Sequence, residues 1–214
     1  MAVGTAEKAC CTPIKPRIGD FNTRTKLPCG VGVEHIYRAM TEFADFLKFV
    51  NTQLYTRKIA RLESLMMAAN FSSLVGEFVG ATIPKHCSAI VKNRYHNGHP
   101  DLIPAGSHPG DAVQHGHEGV EIKASRYLRG WQGHNPEDTW LMVFVFDSNR
   151  PPDVSKGVAP RPFRFVTVVG AALTKEDWAY SGRSEESRRT ITASVTASGH
   201  TKMTANWIFR ETRP

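Results

Sequence analysis

Two neighbouring stretches of the chain decide the fold: residues 120–125 read VEIKAS and residues 139–146 read TWLMVFVF. In the first stretch apolar residues alternate with polar ones, which predicts a β-strand with one apolar and one polar face. The second stretch is almost continuously apolar and predicts a strand that is buried on both faces. Residues 163–173 (FRFVTVVGAAL) have the same character. These patterns therefore predict a β-sheet whose central strands are buried on both faces.

Helical periodicity precedes these strands. Apolar residues recur at three- and four-residue steps over residues 33–50, which predicts an amphipathic helix. A second helical stretch is expected over residues 56–79, with an interruption near Asn70. Gly80 and Pro84 are expected to end it, because glycine and proline are frequent where helices stop.

The two ends of the chain have a different texture. Residues 1–32 are rich in Pro, Gly, Thr and Lys and are expected to form an irregular N-terminal arm. Residues 190–197 and 201–209 flank Ser198-Gly199-His200 and are expected to pair as a C-terminal β-hairpin. No repeat or linker divides the sequence. The prediction is one α/β domain over residues 1–214, with a mixed central β-sheet flanked by helices.

The composition excludes several classes of protein. With 41% hydrophobic and 22% charged residues, the chain resembles an ordinary globular domain rather than a disordered, collagen-like or coiled-coil protein. No apolar run approaches the roughly 18 residues of a membrane span, and residues 1–15 lack the apolar core of a secretion signal. We therefore expect a cytoplasmic protein that makes no membrane contact. The four cysteines lack CxxC spacing and are expected to be reduced thiols.

The charged residues are distributed unevenly. The net charge is +7, with 13 basic and 7 acidic side chains in residues 1–100, 4 and 7 in residues 101–150, and 10 and 6 in residues 151–214. A basic protein attracts polyanions such as nucleic acids. The acidic middle segment would repel phosphate unless a cation lies there. The pattern favours a nucleic acid as partner, together with a divalent metal ion.

The polar face of the first strand carries the candidate chemistry. Glu121 and Lys123 lie on the same face, because side chains two residues apart on a strand point the same way. Asp101, in the Pro100-Asp101 pair twenty residues earlier, would add a second carboxylate and complete an oxygen site suited to Mg²⁺. A lysine beside such an ion can orient the attacking water, and deprotonation of the water by Lys123 stays open.

Other readings of these residues remain open. A single E-x-K on a strand is common and usually marks a solvated face. Asp111 competes with Asp101 as a metal ligand, because it lies closer to Glu121 in sequence. His96-x₂-His99 and His115-x-His117 fit a zinc site only loosely, since no cysteine is near them. Otherwise these histidines are loop residues that can contact phosphate.

Taken together, Pro100-Asp101 and Glu121-Ile122-Lys123 resemble the motif of the PD-(D/E)xK nucleases, the superfamily of most type II restriction endonucleases. The resemblance covers about residues 56–147. It implies a restriction-endonuclease-like fold, Mg²⁺ dependence and phosphodiester hydrolysis that leaves a 5′-phosphate. By position, Asp101 and Glu121 would bind the metal, the Ile122 carbonyl could add a ligand, and Lys123 would position the water. Many members also use a glutamate from the preceding helix, for which Glu77 is the candidate; a helix-surface charge is the alternative.

The resemblance makes double-stranded DNA the expected substrate. Arginine pairs with phosphate or guanine, glutamine with adenine, and a β-ribbon fits the major groove. The candidate DNA contacts in the loop after the strand and in the C-terminal segment are Arg126, Arg129, Gln132, His134, Arg183, Arg188, Arg189, Lys202 and Asn206.

The resulting hypothesis is a type II restriction enzyme that acts as a homodimer, with one active site for each strand. Two alternatives are a structure-specific repair or resolvase-type nuclease and a DNA-binding protein without catalysis.

Overall fold

The computed structural model describes residues 2–133, 135–181 and 192–212. Within them the α-helices are α1 (Ala2–Cys10), α2 (Val33–Thr56), α3 (Leu62–Leu65), α4 (Ala68–His86), α5 (Pro151–Ser155) and α6 (Ala197–Ala205). The β-strands are β1 (Ile90–Lys92), β2 (Leu102–Pro104), β3 (Glu121–Ser125), β4 (Gln132–Gly133), β5 (Thr139–Asp147), β6 (Arg164–Leu173), β7 (Trp178–Ser181), β8 (Thr192–Val195) and β9 (Trp207–Arg210). The mixed α/β class predicted from the sequence is confirmed.

The main sheet has four strands in the order β3-β5-β6-β9. Strand β3 runs parallel to β5, with Glu121 opposite Leu141, whereas β5–β6 and β6–β9 are antiparallel. The sheet is therefore mixed, as the sequence predicts. Strand β3 lies at its end, and that position leaves one edge of β3 unpaired by the main sheet.

Both faces of the main sheet are covered, which explains the continuous apolar run of β5. One face packs against α2 and α4 and includes Met142 and Phe144 with Phe43 and Phe71. The opposite face holds a second core. Because side chains alternate along a strand, neighbouring residues of β5 enter the two cores in turn.

The second core is covered by a small sheet and by α6. Strands β4, β8 and β7 form this sheet in the order β4-β8-β7, and all its pairs are antiparallel. The second core contains Trp178 of β7, Met203 of α6 and Trp131, which immediately precedes β4. A separate antiparallel pair, β1–β2, lies between α4 and β3 along the chain. None of the described helices has both the length and the apolar character needed to cross a bilayer.

The predicted C-terminal β-hairpin is wrong. Residues 197–205 form helix α6, and the flanking strands belong to different sheets: β8 pairs with β7 and β4, and β9 pairs with β6. Thr196 explains the difference, because its hydroxyl caps the helix by accepting a hydrogen bond from the Gly199 N–H (3.3 Å). Met203 is fully buried and anchors the helix in the second core.

Three helix boundaries also differ from prediction. The N-terminal arm is not wholly irregular, since residues 2–10 form α1. The second helical stretch breaks before residue 68 rather than near Asn70, and it runs through Gly80 and Pro84 to residue 86. Proline inside a helix removes one backbone hydrogen bond. Ile83 is fully buried in the core between α4 and the main sheet, and the free energy of its burial offsets the lost hydrogen bond.

Candidate active site

An open cleft of about 640 Å³ lies beside the unpaired edge of β3. Helix α4 forms one wall, and its glycines allow a close approach to the strand. A Cβ added at Gly76 would lie 3.7 Å from the Ala124 backbone nitrogen, and one at Gly80 would lie 3.5 Å from the Ile122 Cδ1 atom. The loop between β4 and β5 supplies part of the opposite wall, including Asn135 and Glu137. The cleft therefore exposes the polar edge of the strand that carries E-x-K.

Asp101 reaches this edge from the start of β2. Its Oδ2 atom accepts a hydrogen bond from the Ile122 N–H at 2.8 Å. Asn93 holds the preceding backbone in place: its side-chain amide donates to the carbonyls of Pro100 (3.1 Å) and Val113 (2.8 Å). The structure thus brings the Pro100-Asp101 pair against the middle residue of E-x-K, as the predicted site requires.

Glu121 and Lys123 form an ion pair on the polar face of β3. The second carboxylate oxygen of Glu121 lies 3.1 Å from His99 Nδ1, and His99 Nε2 lies 3.2 Å from a carboxylate oxygen of Glu137. A continuous chain of charged and polar groups therefore runs from Lys123 to Glu137 along the cleft.

The pKa values of these side chains follow from their burial and from their charged neighbours. Burial acts to raise the pKa of Glu121, but the His99 hydrogen bond and the Lys123 charge outweigh it and hold the pKa at about 2. Burial acts to lower the pKa of Lys123, yet the charges of Glu121 and Asp101 prevail and raise it. In this state Lys123 is a cationic donor rather than a base.

His99 follows the same logic. Burial disfavours its charged form, but the hydrogen bond to Glu121 and the charges of Glu121, Glu137 and Asp101 raise its pKa. The sequence alone predicts for His99 only a loose zinc pattern or a phosphate-contacting loop, and it does not predict a role for Glu137. The position of His99 two residues before Asp101 was the available signal. No local pattern marked Glu137, because it enters the site through the loop before β5.

Asp101 differs from Glu121 in its balance of charges. Burial and the neighbouring charge of Glu121 raise the pKa of Asp101 to about 6. A bound cation reduces the electrostatic repulsion between two carboxylates that lie this close together. The two carboxylates therefore fit Mg²⁺, which takes oxygen ligands and keeps several waters.

The backbone of Ile122 supports the same donor set. Its N–H points away from β5 to Asp101, and the carbonyl of the same strand residue points to the same side. Among the described residues, no three His, Cys, Asp or Glu side chains are grouped so as to hold a metal ion. The donors at hand are thus two carboxylates and one carbonyl, with no group that meets the zinc pattern.

Glu77 and Asp111 have different positions. Glu77 lines the cleft from α4, but its side chain is 67% exposed and pairs with Lys92 Nζ at 2.6 Å. It stands near the site as a surface ion pair. Asp111 accepts a hydrogen bond from the Gly106 N–H at 2.9 Å and does not line the cleft. The structure therefore brings Asp101, and not Asp111, to Glu121.

Several candidate DNA contacts have structural partners instead. The guanidinium of Arg126 lies over the rings of Phe71 and Phe146 and donates to Ser148, so it is not presented to a ligand. Burial and the nearby charge of Arg150 lower the pKa of Arg126 to about 10. This prediction is corrected: a long side chain at the end of β3 folds back over the aromatic core.

Two C-terminal candidates are also engaged. The amide of Asn206 bonds to the Lys26 and Gly170 carbonyls, so it joins the N-terminal segment to the sheet rather than facing DNA. Lys202 Nζ donates to Asp177 at 2.7 Å. Arg129 and Gln132 are exposed. The remaining candidates lie outside the described residues: His134, Arg183, Arg188 and Arg189.

Comparison of the chain with protein-family models, with curated proteins and with solved structures finds no match.

Proposed function

We propose that this chain is a Mg²⁺-dependent endonuclease that hydrolyses double-stranded DNA, of the type II restriction kind. The observation that carries the proposal is the meeting of Asp101, Ile122, Glu121 and Lys123 at one strand edge. Two carboxylates, a cleft-facing carbonyl and a half-buried lysine form the set of groups that phosphodiester hydrolysis requires.

Each group has a distinct task in this scheme. Asp101 and Glu121, with the Ile122 carbonyl, would hold Mg²⁺, and the ion would supply positive charge to offset the charge of the scissile phosphate. Lys123 remains protonated, donates to the attacking water and orients it toward phosphorus. The new bond joins water oxygen to phosphorus, and the bond from phosphorus to the 3′ oxygen breaks. The attacking water releases a proton to solvent as its oxygen bonds to phosphorus, and the leaving 3′ oxygen takes up a proton from solvent, so that the products are a 5′-phosphate and a 3′-hydroxyl.

The order of elements also supports the proposal. Helix α4, the β1–β2 pair and β3 are followed by β5, with Asp101 at the start of β2 and E-x-K in β3. This succession of helix, turn, motif strand and buried strand is the one that the resemblance to PD-(D/E)xK nucleases implies. A restriction-endonuclease-like arrangement is therefore part of the proposal.

The charge of the chain agrees with DNA as the substrate. The net charge is +7, yet the centre of the cleft is acidic. A phosphate backbone is attracted to the molecule as a whole, and it enters the acidic centre when a divalent cation is present. Cutting both strands of a symmetric sequence needs two such centres, so we propose that the active form is a homodimer.

The test is incubation of the purified protein with supercoiled plasmid and Mg²⁺. Discrete linear fragments are expected from the wild type. No cleavage is expected with EDTA, and Lys123→Ala is expected to cleave about 10²-fold or more slowly than the wild type. Structure-dependent nicking without discrete fragments would favour a repair or resolvase-type nuclease. Intact plasmid under all conditions, with DNA binding retained, would overturn the catalytic proposal in favour of a DNA-binding protein.

A further inference from the structure

The loop that follows β3 ends in an exposed apolar tip, residues 127–130 (YLRG). The side chains of Tyr127 and Leu128 are 65% and 59% exposed, and Arg129 beside them is exposed as well. Gly130 has a φ of 74°, a left-handed conformation that suits glycine and turns the chain back toward β4. Two large apolar side chains are thus held in solvent next to a cationic one.

Hydrogen bonds with neighbouring side chains hold the backbone of the tip in place. The Tyr127 N–H donates to Ser125 Oγ at 3.0 Å. Trp131, which is buried, donates its indole N–H to the Tyr127 carbonyl at 2.8 Å. His200 Nε2 lies 3.0 Å from the Leu128 carbonyl, and the His200 ring stacks on Trp131 with centroids 5.1 Å apart. Rigid support beneath exposed apolar groups reduces the entropy lost when those groups bind a partner.

The tip lies close to the candidate active site. Tyr127 is four residues after Lys123, so their Cα atoms are separated by at most about 14 Å. A duplex rises about 3.4 Å per base pair, which corresponds to about four base pairs over that distance. Gly133, in β4, and Asn135, in the loop after β4, line the cleft. Under the proposed function, a duplex with a phosphate in the cleft would therefore have base pairs no more than about four steps from the tip.

We propose that Tyr127 and Leu128 form a wedge that contacts the bases of duplex DNA near the cut, with Arg129 on an adjacent phosphate. The proposal rests on the proposed function, because it takes the bound polymer to be DNA. Apolar wedges inserted at base steps partly unstack them and bend the duplex. The net charge of +7 and the arginine at the tip favour a polyanion over an apolar protein surface.

The test compares the double variant Tyr127→Ser/Leu128→Ser with the wild type. Affinity for a fluorescein-labelled DNA duplex is measured by anisotropy in Ca²⁺, which takes the same oxygen ligands as Mg²⁺ and here replaces it. Phe49→Ser is the matched control, since Phe49 is 66% exposed on α2 and does not line the cleft. The double variant is expected to bind about tenfold or more weakly, on the scale of one lost base stack, and the control is expected to bind as the wild type does.

The salt dependence separates base contact from phosphate contact. The double variant keeps every charge, so its slope of log K against log salt should equal that of the wild type. Arg129→Gln should reduce the slope by about 1. If the double variant binds like the wild type, the wedge proposal fails while the nuclease proposal stands. If the wild type binds no duplex, both fail. If the double substitution changes only the oligomeric state, as measured by sedimentation, the tip is an interface between copies of the chain and the proposal is wrong.

Discussion

At the scale of single residues, the proposed mechanism gives Lys123 a role in catalysis that can be tested separately from DNA binding. Lys123 is half-buried and paired with Glu121, and the neighbouring carboxylates keep it protonated. A fixed ammonium group beside the reacting water stabilises negative charge that develops in the transition state. Its effect should therefore be seen in the chemical step and much less in the affinity for DNA.

Lys123→Ala is expected to lower the single-turnover cleavage rate by about 10²-fold or more, the scale of losing one transition-state donor. Lys123→Arg should not restore the rate, because the planar guanidinium is bulkier and differently hydrated. Single-turnover cleavage with saturating enzyme isolates this step. Lys92→Ala is the control, since Lys92 lines the same cleft but pairs with Glu77. A wild-type rate in Lys123→Ala would remove the lysine from the mechanism.

Asp101→Asn tests the proposed metal site. Asparagine keeps an oxygen that can accept the Ile122 N–H but removes one negative charge from the pair of carboxylates. In the wild type, Mg²⁺ should raise the melting temperature, because a ligand that binds only the folded state stabilises it. The rise and the cleavage activity should both be lost in Asp101→Asn, whereas DNA binding without metal should persist or strengthen.

The control for the melting experiment is Asp45→Asn, an exposed carboxylate that pairs with Lys15 away from the cleft. It should keep the full response to Mg²⁺. An equal Mg²⁺ response in Asp101→Asn and the wild type would show that this carboxylate holds no metal.

At the scale of secondary structure elements, α6 depends on one buried carboxylate. Asp177, just before β7, accepts hydrogen bonds from Lys202 (2.7 Å), from the Ser198 hydroxyl (2.9 Å) and from the Thr174 N–H (3.0 Å). Burial acts to raise its pKa, but the Lys202 hydrogen bond and the other donors outweigh it and hold the pKa at about 2. This carboxylate therefore fastens α6 to the chain before β7.

Asp177→Asn is expected to lower the free energy of unfolding by about 1–3 kcal/mol at neutral pH, through the loss of charged hydrogen bonds. The folded-state pKa lies below the ordinary value near 3.8, so this stabilisation is complete above pH 5 and is lost as the pH falls toward 2. Chemical denaturation at several pH values measures it. Glu176→Gln, an exposed neighbour, should show little change. If the free energies of unfolding of Asp177→Asn and the wild type differ as much at low pH as at neutral pH, this role is contradicted.

At the scale of the whole molecule, the proposed function predicts that charge governs the encounter with DNA. The net charge is +7, and the acidic residues concentrate in the middle of the chain. Binding should weaken steeply as salt rises, because each phosphate neutralised releases counterions and adds about −0.9 to the slope of log K against log salt. Titrations of duplex DNA in Ca²⁺ at several salt concentrations measure this slope. A slope near zero would contradict nucleic acid as the partner.

The sequence by itself determined the elements whose pattern is local. The alternation of residues 120–125 and the apolar runs of β5 and β6 follow from which faces of each strand are buried, and burial is encoded in residue type. The E-x-K spacing placed Glu121 and Lys123 on one face for the same reason. Asp101 could be proposed as the second carboxylate, but no local pattern placed it against the strand, since its partner Ile122 is twenty-one residues away.

Only the tertiary structure decided what depends on distant contacts. Residues 197–205 form a helix because Thr196 caps them and Met203 enters the second core, whereas the local Ser-Gly signal favoured a turn. Arg126 folds back over two aromatic rings that belong to α4 and β5. Glu137 joins the site through His99. Such contacts carry no local periodicity, because the free energy that selects them comes from packing between residues remote in sequence.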